Sequence, residues 1–414
     1  MNTTGYPPPS HTHEAACWLT LAATLGLLFS PPLANLAELL LFVVMLASGE
    51  MRQKLVKVWR QPLAKAALAF YAITCIGLIY SIAPHHVAVS MWGGWRKLLL
   101  IPLALSLFSD PRWKQRFLLI FIGVVTVCAA ISFLAWFTHY SFPVPDPEPG
   151  ILLRNHSTQG MLFGVSAFGA AIVAYRTASR SLRLVMAICV VLLAGNIMLV
   201  TTGRSGYIVL LVCTVAMILS QLFGGKRRPG AKAIAGASLA FIAIVAGLAL
   251  TPTSRERITQ AVHELQDYKQ EKQVTSMGIR VIFWKNTIAL IKERPLIGYG
   301  TGAFGTAYGQ LVKDRPGLAG LTAGDPHDQY MKIMAEHGLI GLVAFAAMLV
   351  AAFLQRPSYP YRLLGLGVLA AWCATSLANS HFSTFTEGTF IYLWLGVMLA
   401  AEELPPASAH MRQI

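Results

Sequence analysis

Apolar and polar positions alternate along the chain in long blocks. Apolar runs approach the length of about 20 residues that a helix needs to cross a bilayer. They lie at approximately 15–30, 33–49, 64–82, 96–109, 117–139, 158–177, 184–202, 206–223, 233–251, 336–355, 363–380 and 389–403. This pattern predicts an all-α polytopic membrane protein with about twelve transmembrane helices.

The composition excludes a water-soluble globule. Hydrophobic residues make up 55% of the chain and charged residues only 12%, whereas soluble domains carry about 25% charge. Lys and Arg total 33 against 18 Asp and Glu, for a net charge of +15. In a polytopic protein this excess indicates basic cytoplasmic loops and anionic partners, and no nucleic acid.

The basic residues also predict the orientation. Every second short connection is rich in them, with Arg52, Lys54, Lys57 and Arg60, then Arg112, Lys114 and Arg116, then Arg176, Arg180 and Arg183, then Lys226, Arg227, Arg228 and Lys232, and finally Arg356 and Arg362. The opposite connections hold little beyond Arg96, Lys97, Arg154 and Arg204. The positive-inside rule therefore puts both termini in the cytoplasm. The first apolar run has no preceding Lys or Arg, so we expect no cleaved signal peptide.

One polar segment interrupts the pattern on the outer side. It divides the chain into residues 1–251 with helices one to nine, the loop at 252–335, and residues 336–414 with helices ten to twelve and a cytoplasmic tail. Long loops are usually functional. Within it, residues 279–294 form an amphipathic stretch that Pro295 ends, and Arg280 and Trp284 share one of its faces. A glycine-rich turn follows at 298–302.

The strongest local signal is Asp325-Pro326-His327-Asp328. Asp is favoured as an N-cap and Pro at the first helical position, so the motif predicts a helix that starts at Asp325 and runs into the tenth span. This arrangement puts His327 at the second helical position, at the outer mouth of the membrane domain. A neutral imidazole there suits a general base. A surface histidine beside a helix cap is the alternative.

Arginines supply the second signal. Arg204 lies in Thr-Thr-Gly-Arg-Ser-Gly at 201–206, between two apolar runs with almost no loop, and Arg280 lies on the amphipathic stretch. An arginine within the hydrocarbon costs a few kcal/mol, so Arg204 must reach the interface or face a polar cavity. Two arginines and a histidine on one side of the membrane point to a lipid-linked phosphate. An interfacial anchor and a surface charge are the alternatives.

Other polar positions carry weaker signals. Asn155 and His156 precede the sixth span and could line the site, or form a polar helix start. Asp146 and Glu148 lie in a proline-rich turn that favours a rigid loop over a metal site. We therefore expect no metal and no cofactor.

Three motifs resemble the O-antigen ligase family, within the Wzy-like polymerases and O-oligosaccharyltransferases. His327 and Asp328 are followed by nine residues to His337 and then by Gly338-Leu-Ile-Gly341, with Glu336 ahead of the first glycine. The family usually has Asn, Ser or Gln at the position of Asp328. Thr-Gly-Arg204-Ser-Gly resembles the family's arginine element. Arg280-x-x-x-Trp284 through Pro295-Leu-Ile-Gly-Tyr-Gly300 resembles its loop-helix element.

The resemblance implies a GT-C-like fold with a long helical periplasmic loop between helices nine and ten. It implies a glycosyltransferase of the bacterial inner membrane that moves O-antigen from undecaprenyl diphosphate to the lipid A–core of lipopolysaccharide. His327, Arg280 and Arg204 would be catalytic. The arginines would also bind substrate, together with Trp284, Asp328, Asn155 and His156.

Related activities remain alternatives. An O-antigen polymerase or a protein O-oligosaccharyltransferase would share the donor and the architecture but use another acceptor. The His327 motif and the modest chain length favour the ligase. A transporter is a more remote alternative, because no inverted repeat is evident and the long outer loop suits a catalytic cap.

Overall fold

The computed structural model describes residues 9–145, 147–201, 203–223 and 276–402. These residues fold almost entirely into helices, with a single antiparallel bridge between Ser141 and Pro149 among them. The predicted ninth span at 233–251, the polar stretch at 252–275 and Asp146 lie outside the described residues.

The α-helices follow one another with short connections. They are α1 (His11–Phe29), α2 (Pro31–Ala47), α3 (Gly49–Val58), α4 (Pro62–Ile79), α5 (His85–Trp95), α6 (Leu100–Leu107), α7 (Pro111–Phe137), α8 (His156–Arg176), α9 (Arg180–Leu199), α10 (Arg204–Phe223), α11 (Ser276–Glu293), α12 (Phe304–Val312), α13 (Gln329–Leu354), α14 (Tyr361–Thr375) and α15 (Phe385–Leu399). Short 3₁₀ helices lie at Arg96–Leu99 and Gly317–Gly320.

The helices support a polytopic membrane protein. Within the described ranges, six of them (α4, α7, α8, α9, α10 and α13) are long and apolar enough to cross a bilayer. The number rises to seven if α2 and α3, which meet at 97°, form one broken span. Helices α14 and α15 are apolar but shorter. The total of about twelve spans therefore stays a prediction. The prediction that the stretch at 279–294 is helical is confirmed, since it lies in α11, which ends at Glu293.

Polar residues at the helix starts explain where several helices begin. The side chains of Asp110, Asn155, Ser179 and Asp328 each accept a hydrogen bond from a backbone amide in the first turn of α7, α8, α9 and α13 respectively. Such caps satisfy donors that have no partner inside the helix.

The bundle has two chemically distinct ends. At one end, which we call the site end, α8, α10, α13 and α15 begin. At the opposite end, the buried Lys114 of α7 donates to the carbonyl of Ala400, at 2.5 Å, and to the carboxylate of Glu402, at 2.7 Å. The Tyr361 hydroxyl donates to the Pro111 carbonyl there, at 3.0 Å. Helices α7 and α14 thus begin at the opposite end, and they run antiparallel to α8 and α15 respectively.

Helices α8 and α10 touch through glycines at the site end. A Cβ atom built on Gly206 would lie 2.8 Å from the Cα of Gly160. Small residues allow this backbone contact between spans. The contact fixes the start of α10 beside the start of α8.

Helix α13 is broken at Gly338, whose φ of 62° and ψ of −161° lie in a region that only glycine readily adopts. Residues 295–302 fill the break. The amides of Tyr299 and Gly300 donate to the Ala335 and Glu336 carbonyls at 2.9 and 2.8 Å, on the N-terminal side of the break. A continuous helix would have satisfied these carbonyls itself.

The other side of the break is satisfied in the same way. The amides of Leu339 and Ile340 donate to the carbonyls of Pro295 and Leu296, at 2.8 and 3.2 Å. A Cβ atom on Gly338 would lie 2.2 Å from the Leu296 carbonyl carbon. The segment at 295–302 and the glycine of the His327 motif, separate in the sequence, therefore form one interlocked unit.

Candidate functional site

The segment that carries His327 is a turn, and helix α13 starts after it. Asp328 is the N-cap, and its side chain accepts from the Met331 amide at 2.8 Å. The prediction that Asp325 caps the helix and that His327 is its second residue is therefore wrong. The Asp325 carboxylate instead accepts from the His327 amide two residues on, at 2.8 Å. His327 takes a φ of 55°, which ends the turn before the helix begins.

Asp325 joins this turn to two other elements. Its second carboxylate oxygen lies 2.7 Å from the ammonium of Lys332, a buried residue one turn into α13. The Ser380 hydroxyl, from the loop between α14 and α15, donates to the first oxygen at 2.7 Å. Burial alone would raise the pKa of Asp325, but Lys332 and these hydrogen bonds hold it below its usual value. An ionised Asp325 thus fixes the backbone at His327.

Asp328 has a capping role as well as its predicted role in binding. It is only 8% exposed, and this burial raises the pKa of its carboxyl group. The family's usual amides and hydroxyls at this position can also cap a helix. The departure from the family pattern therefore leaves the cap intact.

Helix α11 packs against the His327 turn. The ring of Phe283 stacks on the imidazole of His327, with centroids 6.3 Å apart and planes at 13°. The indole nitrogen of Trp284 donates to the Pro326 carbonyl at 3.1 Å. Arg280 precedes these two residues by three and four positions, so it lies on the same face of α11. The structure thus brings the helix face of Arg280 to the turn of His327.

Arg204 is the first residue of α10, at the site end. The hydroxyl of Ser157 in α8 donates to that of Ser205 at 3.0 Å. A Cβ atom on Gly203 would lie 2.8 Å from the His156 carbonyl oxygen. Close packing therefore holds Arg204 beside the first turn of α8.

Asn155 and His156 form the start of α8. The Asn155 side-chain oxygen accepts from the Thr158 amide at 2.9 Å, so it caps the helix. The Nε2 atom of His156 lies 2.9 Å from a carboxylate oxygen of Glu148, in the proline-rich turn. This pair ties the turn to α8. The described residues contain no cluster of three or more His, Cys, Asp or Glu side chains arranged for a metal.

A cavity of about 190 Å³ opens at the site end between α8 and the loop that precedes α15. Arg154, Asn155, Ser157, Asn379, His381, Thr384 and Glu387 line it. Of these residues, the sequence predicts only Asn155 as part of the site. Arg154 contributes there only to the predicted orientation of the helices, and His381 and Glu387 lie in the short polar segment between the last two apolar runs. The signal that could have found them is two ionisable residues next to a transmembrane segment.

A buried polar network positions Arg154. The side-chain amide of Gln159, fully buried in α8, accepts from the amides of Leu152 and Leu153, at 2.8 and 3.1 Å. It also donates to the carbonyl of Gly150 at 3.0 Å. Arg154 follows with a φ of 47°. The backbone before this arginine is thus fixed from inside the bundle.

The loop at 376–384 contacts two groups of predicted site residues. One group is His327 with the face of α11 that packs on it, and the other lies at the starts of α8 and α10. Ser380 bonds to Asp325 under the His327 turn, whereas the next residue, His381, lines the cavity together with Asn155. Gln329, at the start of α13, also donates to the Ser383 hydroxyl at 2.7 Å. His327 with the α11 face and the starts of α8 and α10 therefore belong to one region.

A known protein family matches part of the sequence that forms this region. The O-antigen ligase family model matches residues 189–346. Over these residues the chain is similar to O-antigen ligases. The matched range contains Arg204, Arg280, Trp284, His327 and the helix break at Gly338, whereas Arg154 and the loop at 376–384 lie outside it.

A similar protein comes from Haemophilus influenzae. It is described as an uncharacterized protein and is 25% identical over 314 residues, which cover 72% of this chain and 73% of that protein. The apolar helices indicate a multi-pass membrane protein, and residues 189–346 are similar to the O-antigen ligase family.

Proposed function

We propose that the protein is an inverting, metal-independent glycosyltransferase that transfers O-antigen polysaccharide from undecaprenyl diphosphate to the lipid A–core of lipopolysaccharide. The observation that carries the proposal is the packing of α11 on the His327 turn inside the O-antigen ligase match. This packing supports a base and an arginine that act on one substrate.

His327 is the general base in this proposal. One of its ring nitrogens takes the proton of an acceptor sugar hydroxyl, and that oxygen attacks the anomeric carbon of the donor. The bond from this carbon to the diphosphate breaks as the new glycosidic bond forms on the opposite face, so the configuration inverts. The hydrogen bond from the His327 amide to Asp325 and the ring of Phe283 orient the imidazole.

Arg204 and Arg280 bind the diphosphate and stabilise the negative charge that develops on it as it leaves. Guanidinium groups bind phosphate oxygens through two parallel hydrogen bonds and keep their charge at any working pH. This charge stabilisation would take the part that a metal ion plays in other transferases. Trp284, Asp328, Asn155 and His156 would shape the surrounding substrate site.

The proposed location is the bacterial inner membrane, with the site end at the periplasmic face. The basic connections, which include Arg112, Arg176 and Arg362, belong to the opposite end of the bundle. The positive-inside rule places that end and both termini in the cytoplasm.

The test uses purified protein, an undecaprenyl diphosphate-linked glycan and rough lipopolysaccharide, with EDTA present. We expect a ladder of products on the lipid A–core with the wild type. His327→Ala should fold normally and lose about 10²–10⁴-fold in rate, as removal of a general base does. Retained ligation in this variant would contradict the role of His327.

Other outcomes identify the alternatives. Longer donor-linked chains with an unmodified core would mean a polymerase, and glycan on an added acceptor protein would mean an O-oligosaccharyltransferase. Movement of the lipid-linked glycan across the membrane without a new glycosidic bond would mean a transporter.

Arg280→Lys tests the bidentate contact separately. An ammonium group keeps the charge but cannot reproduce the planar fork of guanidinium. We expect a large loss of kcat/KM. Near-wild-type turnover would argue against a bidentate contact with the diphosphate.

A further inference from the structure

The cavity at the site end has a chemistry that the roles of His327 and the two arginines do not use. We propose that it binds one uncharged sugar residue of a substrate, with His381 as its main hydrogen-bonding side chain. The proposal rests on the proposed function for the identity of the substrates, and it names which of their groups this cavity recognises.

His381 is the observation that points to a ligand. Its side chain lines the cavity, yet the residue is only 3% exposed. Among the described residues, neither ring nitrogen has a hydrogen-bond partner. A buried polar group without a partner destabilises the folded protein. A sugar hydroxyl that enters the cavity, with a small rotation of the ring, would supply the missing partner, because a neutral imidazole both donates and accepts.

Glu387 indicates that the ligand is uncharged. It is 6% exposed on the cavity wall, and its carboxylate accepts hydrogen bonds from the hydroxyls of Thr158 and Thr384. A carboxylate has about four acceptor sites, so a sugar hydroxyl can donate to it as well. A phosphate in the same space would meet like charge in a desolvated place. The diphosphate therefore fits this cavity poorly.

The remaining wall groups complete a polyhydroxyl site. The oxygen of Asn155 is used in the helix cap, so its amide nitrogen is left to donate, and Asn379 and Ser157 add further polar groups. The exposed Arg154 lies at the rim and contacts the Thr386 hydroxyl at 3.4 Å. The volume of about 190 Å³ corresponds to roughly six water molecules, a suitable size for one sugar ring.

The sugar has two sources, and its chemistry is the same in both. It is either the residue joined to the diphosphate in the donor or the terminal residue of the acceptor core. The loop at 376–384 places His381 next to Ser380, which bonds to Asp325 under His327. A sugar in the cavity would therefore lie beside the proposed base, as either reacting sugar must.

The experiment measures binding to the full-length protein in nanodiscs, without turnover. The donor arm compares undecaprenyl diphosphate with the same lipid carrying one sugar residue. The acceptor arm compares rough lipopolysaccharide with a form that lacks its terminal core sugar. In each arm, the dissociation constant of the ligand without the sugar is divided by that of the ligand with the sugar. This ratio gives the contribution of the sugar to binding.

We expect His381→Phe, which keeps a ring but removes both nitrogens, to lower this ratio about tenfold in one arm. Binding of sugar-free undecaprenyl diphosphate should not change. His139→Asn is the matched control, because His139 is an exposed histidine beyond the end of α7 and outside the cavity lining, and Asn tolerates its φ of 55°. It should leave both ratios unchanged.

The affected arm identifies the source of the sugar. Equal ratios for wild type and His381→Phe in both arms would overturn the proposal, as would a wild type without any sugar contribution. If His381→Phe fails to fold, Thr384→Val at the exposed edge of the cavity should lower the same ratio to a smaller extent, and no change there would also overturn it. A sugar-dependent ratio in a protein that transfers no glycan would refute the proposed function alone.

Discussion

The break in α13 makes Gly338→Ala the most informative single substitution. A residue with a side chain at a φ of 62° and ψ of −161° carries about 1–3 kcal/mol of backbone strain. The new Cβ atom would also lie 2.2 Å from the Leu296 carbonyl carbon. Residues 295–302 must therefore move, or α13 must straighten and expel them.

Either response loses the hydrogen bonds across the break. Four backbone bonds connect the two segments, through the amides of Tyr299, Gly300, Leu339 and Ile340. Each contributes about 0.5–1.5 kcal/mol, so their loss costs about 2–6 kcal/mol. If α13 keeps its break and residues 295–302 move, the strain adds to this loss, and we expect Gly338→Ala to lower the free energy of unfolding by about 3–9 kcal/mol.

Unfolding in mixed micelles, followed by circular dichroism, measures this free energy, and amide exchange at Tyr299 and Gly300 reports the break directly. Gly309→Ala is the matched control. Gly309 lies in α12, and a Cβ atom there would meet no other atom within 4 Å, so alanine should stabilise the helix by up to about 1 kcal/mol. Wild-type stability and amide protection in Gly338→Ala would refute the reasoning.

Three further predictions concern the elements around the site. Asp325→Asn should cost about 3 kcal/mol at neutral pH, because it removes the carboxylate that forms a salt bridge with a buried ammonium. The lowered pKa of Asp325 means that this stability exists above the unfolded-state pKa and is lost as pH falls through the folded-state pKa. Unfolding curves of variant and wild type should therefore converge below about pH 4, and a constant difference at all pH values would contradict the ion pair. Gln159→Leu should cost about 3 kcal/mol or more and speed proteolysis of the segment before α8, because it leaves several buried polar groups unpaired; an unchanged cleavage rate would count against the network. Trp284→Phe keeps the ring but removes the bond to Pro326, so stability should fall by only about 1 kcal/mol while kcat falls more than KM rises, and unchanged kinetics would show that this bond does not position His327.

Helix positions were largely predictable because hydrophobic length and polar caps are local signals. The amphipathic pattern at 279–294 predicted α11, and Pro295 marked its end. The predicted start of α13 at Asp325 is wrong, because Asp325 and Asp328 are equally good caps in the sequence and the structure uses Asp328. What decides between them is Lys332 and Ser380, which hold Asp325 in the turn. Ser380 lies far along the chain, so no local pattern reveals this contact.

The candidate site also contains residues that local motifs reveal and residues that only tertiary contacts reveal. His327, Arg280 and Arg204 stand in motifs that can be read locally, although nothing in the sequence places them near one another. The cavity depends on contacts between distant segments, because His381 and Glu387 meet Asn155 only through the packing of α15 against the rest of the bundle. The role of Gly338 was also hidden, since its φ follows from the segment that fills the break.

The break at Gly338 has a consequence for the surrounding lipid. Residues 339–354 form the apolar part of α13, and at 1.5 Å per residue they reach about 24 Å, less than the roughly 30 Å of a hydrocarbon core. Most of the N-terminal part, including Lys332 and Glu336, is buried inside the protein, so it presents little apolar surface to the lipid. The bilayer beside α13 should therefore be thinner than elsewhere around the bundle, at a cost of a fraction of a kcal/mol per Å of mismatch. Such local thinning would bring the headgroups of lipid-anchored molecules down to the level of the site.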